Sequence, residues 1–210
     1  MTNGKKRLGV GQHHGDLRRS LLEAAVALLA QGERPSLRQV ARAAGVSPAA
    51  PYHHFHSANG LMAAVACAGF TALEEALLAT LDRTEKTAEQ APNMSATYVT
   101  FALAHPEHYR LMFDPELEPA DDALERVAQR VFGHLVGAVA RALPEAPRVV
   151  VQMRARQIFA LAHGCIDLAT AGALAKLEGP HAPRGVAEEV AAATTILLRA
   201  PSSSRRPNPE

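Results

Sequence analysis

Tryptophan is absent from this 210-residue chain, and aromatic residues make up only 4% of it. A core poor in large rings must be built mainly from Ala, Leu and Val, which suits packed helices better than a β-sandwich. Hydrophobic residues, at 48%, are plentiful enough to build one. Cysteine is nearly missing too. Cys67 and Cys165 lie far apart and fit no metal-ligand spacing, so a reduced, cytoplasmic setting is expected. No uninterrupted apolar run reaches the roughly eighteen residues of a membrane span. The opening MTNGKKRLGVGQHHGD carries charge but lacks the apolar centre of a secretory signal. No membrane partner is expected.

Net charge is also small, +1, but it is unevenly spread. Residues 1–62 hold eight Lys/Arg and three Asp/Glu, a net of +5; the remainder holds fourteen against eighteen, a net of −4. A basic end attached to an acidic body is a cue for nucleic-acid binding, although an uneven solvated surface gives the same count.

What the chain does have is helical periodicity. Residues 1–15 read as a flexible basic arm. Leu17, Leu21, Ala24, Ala25 and Leu28 keep helical spacing over 16–31, and Gly32 stops that helix. Ser36 with Gln39 forms a capping box for a second helix whose buried face is Leu37, Val40, Ala41 and Ala44. Gly45 breaks it, and Ser47-Pro48 reads as an N-cap followed by Pro at the first position of a third, short helix ending near His54. A longer amphipathic helix spans about 58–80. Further helical segments follow at 93–104, 106–113, 119–143, 147–175 and 184–199, with no alternating strand pattern. The tail 201–210, PSSSRRPNPE, is too polar and Pro-rich to pack.

Two short helices joined by a glycine-containing turn in a basic segment describe a helix-turn-helix, over about 36–55. The start of its second helix needs bare backbone to approach phosphates and base edges, and Ala49 and Ala50 leave it bare. Their methyls can also touch thymine methyls. Pro51 lacks the N–H that a helix capped at Ser47 would use, so a distorted start is expected there. Phe55 should turn inward. Tyr52 and His54 are placed for phosphate oxygens and His53 for the groove, although isolated surface rings would look the same.

The run LRQVARAAGVSPAAPYHHFHSANGL closely resembles the helix-turn-helix of the TetR family of transcriptional regulators. Its A-G-V-S turn, Tyr-x-x-Phe and following Leu agree in order with the family pattern, and the preceding helix with its closing Gly agrees as well. The resemblance implies an all-α homodimer: a three-helix DNA-binding domain over 16–62 and a larger helical ligand-binding and dimerisation domain over 63–200, about nine helices in all. It implies a base- or phosphate-contacting role for Arg38, and phosphate contacts for Tyr52 and His54. Where the family has a Lys at the start of the fourth helix, this chain has Ala58, so one backbone charge contact is lost.

Two stretches, FALAHPEHYRLMFDP and FALAHGCIDLATAG, resemble the C-terminal domain of TetR regulators with a Trp-x-x-x-His-Gly signature. Here the pair is His163-Gly164, and Phe159 stands in place of the Trp. Tyr98, Phe101, His105, Tyr109 and Met112, with Phe159 and His163, form a candidate ligand-binding set, since rings with a few polar anchors suit a small-molecule pocket. Ordinary core packing is the alternative for each. Asp167 lies one turn from His163 and can pair with it. The last two long helices carry wide apolar faces that would build a four-helix dimer interface.

The expected function is therefore a sequence-specific repressor that binds a near-palindromic double-stranded operator and is released by a small-molecule ligand. A sequence-neutral DNA-binding protein and a redox-sensing regulator using Cys67 or Cys165 are the alternatives. No cofactor or metal is called for. His53-x-x-His56, His105-x-x-His108 and His13-His14 lack a nearby Cys or carboxylate in a recognisable ligand order, so no catalytic residue is assigned.

Overall fold

The computed structural model describes residues 10–117, 122–178 and 185–200, and among them there is no strand. The order is α1 (Val10–Leu29), α2 (Leu37–Ala43), a 3₁₀ turn (Ala50–His53), α3 (Ala58–Arg83), α4 (Thr87–Ala104), α5 (Pro106–Met112), α6 (Ala123–Ala142), α7 (Arg148–Thr170), α8 (Ala173–Glu178) and α9 (Val186–Arg199). Residues 1–9 of the arm expected over 1–15, and the tail at 201–210, lie outside the described residues.

Four boundaries differ from the periodicity. Helix α1 begins at Val10, inside the stretch read as an arm. Helix α4 starts at Thr87 and runs through Pro92. Pro92 is buried, and that burial offsets the backbone bond its ring removes. The long run at 147–175 is cut after Thr170, where Gly172 takes φ +66° and turns the chain into α8. The expected third helix is a 3₁₀ turn.

The chain divides into two compact units. The first holds the N-terminal residues through Gly69 together with 107–125; the second holds Phe70–Pro106 and the chain from Arg126 onward. Residues 107–125 thus join the N-terminal residues in the first unit. In the first unit Leu21 and Ala25 of α1, Val40 of α2, Phe55, and Leu61, Met62 and Val65 of α3 form one core, joined by Leu111 and Leu117. Each of the larger side chains contributes about 1.5–3 kcal/mol on burial. Arg34 ties the same segment down from outside, reaching Asp114 at 3.2 Å and Asn59 at 3.5 Å. At Gly69 a Cβ would sit 3.0 Å from both His108 Cβ and Met112 Sδ, so glycine lets α5 pack close.

In the second unit α4, α7 and α9 pack on one another. Met94, Ile158, Ile166 and Val190 are fully buried there. Ser95 and Thr194 meet across α4 and α9 with their hydroxyl oxygens 3.0 Å apart. Ser95 Oγ also lies 2.7 Å from the Pro92 carbonyl and Thr194 Oγ1 2.8 Å from that of Val190; with one hydrogen each, one hydroxyl donates across the pair while the other donates to its own helix. Helix α3 is long and apolar enough to cross a membrane by length and composition, but its Leu61, Met62, Val65, Leu73 and Leu77 are buried in the protein.

Glu74 of α3 is gripped by α6. Arg130 donates to both carboxylate oxygens at 2.8 Å, and His134 Nε2 lies 2.8 Å from Oε1. The Arg130 hydrogen bonds, reinforced by the one from His134 and opposed by burial, hold the carboxyl well below its usual range, at about 2. The folded form is thus stabilised by this ionised group above pH 4.5, and that stabilisation is lost as pH falls towards 2. Glu74→Gln should lower the urea midpoint at neutral pH. The gap from the parent protein should close as pH drops through that window; a gap that stays constant would separate the effect from the charge.

Candidate nucleic-acid interface

The geometry of the helix-turn-helix follows from short-range chemistry. Ser36 is the N-cap of α2: its Oγ accepts the Gln39 N–H at 3.3 Å, and the Gln39 side-chain oxygen accepts the Ser36 N–H at 2.8 Å. At the other end, the Val46 N–H reaches the Ala41 carbonyl at 3.0 Å and the Gly45 N–H reaches that of Arg42 at 3.2 Å. This paired closure needs a left-handed residue, and Gly45 supplies it at φ +68°. Nothing lies within 4 Å of a Cβ added there, so the cost of Gly45→Ala is conformational. It should be about 1–2 kcal/mol, read as a fall in the urea midpoint.

The turn that follows departs from expectation. Ser47 does not cap it through its side chain; Ala49 occupies the N-cap position without a side-chain hydrogen bond. Pro51 has no N–H to give the Ser47 carbonyl, which takes the Ala50 N–H at 3.0 Å instead. The Tyr52 N–H likewise bonds three residues back, to Ala49. The missing donor thus tightens the segment into 3₁₀ geometry. Pro51 itself is buried, and so is Phe55, 4% exposed, with the Arg18 guanidinium 5.7 Å over its ring centroid.

These two anchors leave Ser47, Ala49, Tyr52 and His53 exposed and Ala50 half-exposed. Tyr52, at 52%, shows more of itself than any other aromatic ring among the exposed large hydrophobics. Arg38 is exposed on α2. His54 is different: it is half-buried, its Nε2 is enclosed, and its ring leans on Phe55, with centroids 6.2 Å apart. Ala58 opens α3, where Ser57 Oγ accepts the Gly60 N–H at 3.0 Å. That cap was visible in the sequence as Ser before a helical run.

The candidate ligand set is divided between the two units. Tyr109 and Met112 are buried in the first unit, where the Tyr109 and Phe113 rings are 5.2 Å apart. The remainder belong to the second unit. The Phe101 and His105 rings lie 4.7 Å apart, tilted by 46°, at the end of α4. Tyr98, Phe159 and His163 cluster further along, with Tyr98–Phe159 centroids at 5.9 Å, Phe159–His163 at 5.5 Å, and Tyr98 Oη 3.3 Å from His163 Nδ1. Phe132 of α6, which periodicity alone gave no reason to select, meets Phe159 edge-on at 5.9 Å. Asp167 Oδ2 lies 3.8 Å from His163 Nε2. Both cysteines are half-buried thiols, and burial together with the charge of Glu189 pushes Cys165 up, keeping it protonated. Among the described residues no three His, Cys, Asp or Glu converge on a metal-sized site.

Residues 21–65 match the family described as "Bacterial regulatory proteins, tetR family", and residues 92–195 match "Tetracyclin repressor-like, C-terminal domain". No curated protein matches the chain. A solved structure of a protein with unknown function from Rhodococcus sp. RHA1 is 32% identical, with a TM-score of 0.71 over 94% of this chain and 98% of that one. The TetR family transcriptional regulator PfmR from Thermus thermophilus is 18% identical, with a TM-score of 0.64 over 85% and 97%. A TetR family transcription regulator from Marinobacter aquaeolei VT8 is 19% identical, with a TM-score of 0.66 over 90% and 98%. The last two likenesses concern the fold alone.

Proposed function

Because the chain belongs to the TetR family of bacterial regulatory proteins, we propose that it is a cytoplasmic repressor that binds a near-palindromic operator as a homodimer and leaves it when a small molecule binds the second unit. The observation that carries this reading is the bare, protruding turn of Ser47, Ala49 and Ala50 beside exposed Tyr52 and His53, anchored by buried Pro51 and Phe55. Such a surface suits the major groove. Arg38 on the neighbouring helix is the reader of guanine, through a bidentate contact, and Tyr52 donates to phosphate.

Dimer formation has its own support. Val149 of α7 is 67% exposed and Ile196 of α9 is 69% exposed, with Leu168 also uncovered. Paired with their symmetry mates, α7 and α9 would cover these side chains in a four-helix interface. The two reading turns would then engage half-sites about 34–36 Å apart. A ligand releases the operator only if it binds the released arrangement more tightly. Tyr98, Phe101, His105, Phe159 and His163 are its candidate contacts.

A gel shift on the DNA upstream of the protein's own gene, with random competitor and a salt series, tests the reading. A complex that survives competitor is the expected result. Arg38→Ala should relax base preference by about 1–3 kcal/mol, whereas Tyr52→Phe should weaken all sequences alike. Equal binding to random duplex would replace the repressor with a sequence-neutral DNA-binding protein.

A further inference from the structure

The reading turn lies in a stretch without a fixed charge. No Lys, Arg, Asp or Glu occurs between Arg42 and Glu74, a span that holds the turn, the link to α3 and the first half of that helix. The groups in it that can turn positive are three imidazoles, His53, His54 and His56. His54 is half-buried with Nε2 enclosed, whereas His53 and His56 are exposed. Among the described residues, no hydrogen bond, ion pair or ring contact engages either exposed imidazole. His56 directly precedes Ser57, whose Oγ accepts the Gly60 N–H at 3.0 Å and fixes the chain at the start of α3. The charged side chains nearby are mostly arginines. Helix α2, packed on the turn, brings Arg38 and Arg42. The described charged side chains of α1 are Arg18, over the Phe55 ring, and Arg19, 3.8 Å from Glu23. Arg34, which also reaches Asn59 of α3, holds Asp114 at 3.2 Å and Glu116 at 3.8 Å. These three carboxylates are thus already paired with arginine.

Resting on the DNA-binding reading above, we propose that His53 and His56 dock on the duplex as imidazolium ions, so that binding takes up protons and affinity falls as pH rises. Imidazole is the side chain whose charge changes between about pH 5 and 8. A row of phosphates favours its charged form. A ring that holds its proton more tightly in the complex adds affinity that is fully present below the titration of the free protein. That affinity is lost as pH rises through the titration of the complex. Each protonated contact also displaces condensed counterions and so steepens the dependence on salt. Arginine, as at Arg38, keeps its charge over this whole range and contributes nothing to the pH dependence.

The test follows the full-length protein by fluorescence anisotropy on two duplexes of equal length, one from upstream of its own gene and one of random sequence. Ionic strength is held fixed, because affinity for DNA depends steeply on salt. Affinity for both duplexes should fall about six- to thirtyfold between about pH 6 and pH 8, since phosphate contacts carry no sequence information. The slope of log affinity against log salt should be steeper by about one to two at the lower pH. Calorimetry in two buffers of different ionisation enthalpy should register the protons taken up. His53→Gln combined with His56→Gln, both at exposed positions, should remove most of the pH dependence. An affinity blind to pH overturns the inference, as does a salt slope that pH leaves unchanged or a dependence that the double variant keeps. The two readings fail separately. An operator preferred over random duplex with no pH dependence removes the histidine contacts alone. Equal binding to both duplexes with the dependence intact removes the repressor alone, and no binding to either removes both.

Discussion

Phe55→Ala is expected to destabilise the N-terminal unit by about 3–5 kcal/mol and to abolish specific DNA binding at ordinary protein concentrations. The side chain is 4% exposed and belongs to the same core as Leu21, Val40, Leu61 and Met62, so its removal leaves a cavity bounded by helices already fixed by their caps. The Arg18 guanidinium loses the ring it overlies, 5.7 Å from the centroid, and adds to the cost. A loss of this size is a large fraction of the roughly 5–15 kcal/mol that typically stabilises a domain. Urea unfolding should show the midpoint falling, and the gel shift should show the specific complex disappearing. A variant that loses less than about 1 kcal/mol would mean the ring is not the anchor of the reading turn.

Ile158→Ala should cost about 2–5 kcal/mol in the second unit. Ile158 is 1% exposed on α7, a helix that packs against both α4 and α9, so no single neighbour can collapse into the space it vacates. The residue next to it is Phe159, whose ring touches Tyr98, Phe132 and His163. Loosening α7 should therefore weaken the proposed dimerisation and ligand binding before the helix itself melts. Analytical ultracentrifugation and thermal unfolding followed by circular dichroism measure the two effects. Unchanged self-association together with unchanged melting would contradict the packing of α7 against its neighbours.

The features legible in the sequence were those decided within a few residues. Ser36 and Gln39 specify their capping box by spacing alone, and Gly45 announces a left-handed position where a helix must end. The family resemblance rested on that same local grammar, and the matched families cover both halves of the chain. Features decided by distant contacts were not legible. Nothing near Leu111 or Leu117 says that they complete the core of the N-terminal unit, because that follows from packing against α1 to α3. Glu74 meets Arg130 and His134 across more than fifty intervening residues. Pro92 illustrates the reverse error: a local breaker was overruled by burial. Pro51 lies between these cases. Its missing donor was visible, but which carbonyl would be served instead depended on competition between three- and four-residue bonds.

Pro51 also matters before any DNA is met. With Pro48 it places two pyrrolidine rings in the few residues proposed to face the duplex, and each fixes a backbone torsion before any encounter. The proposed reading loop therefore has little motional freedom left to surrender at docking. The ordering entropy was spent when the polypeptide folded, and the complex inherits a rigid probe.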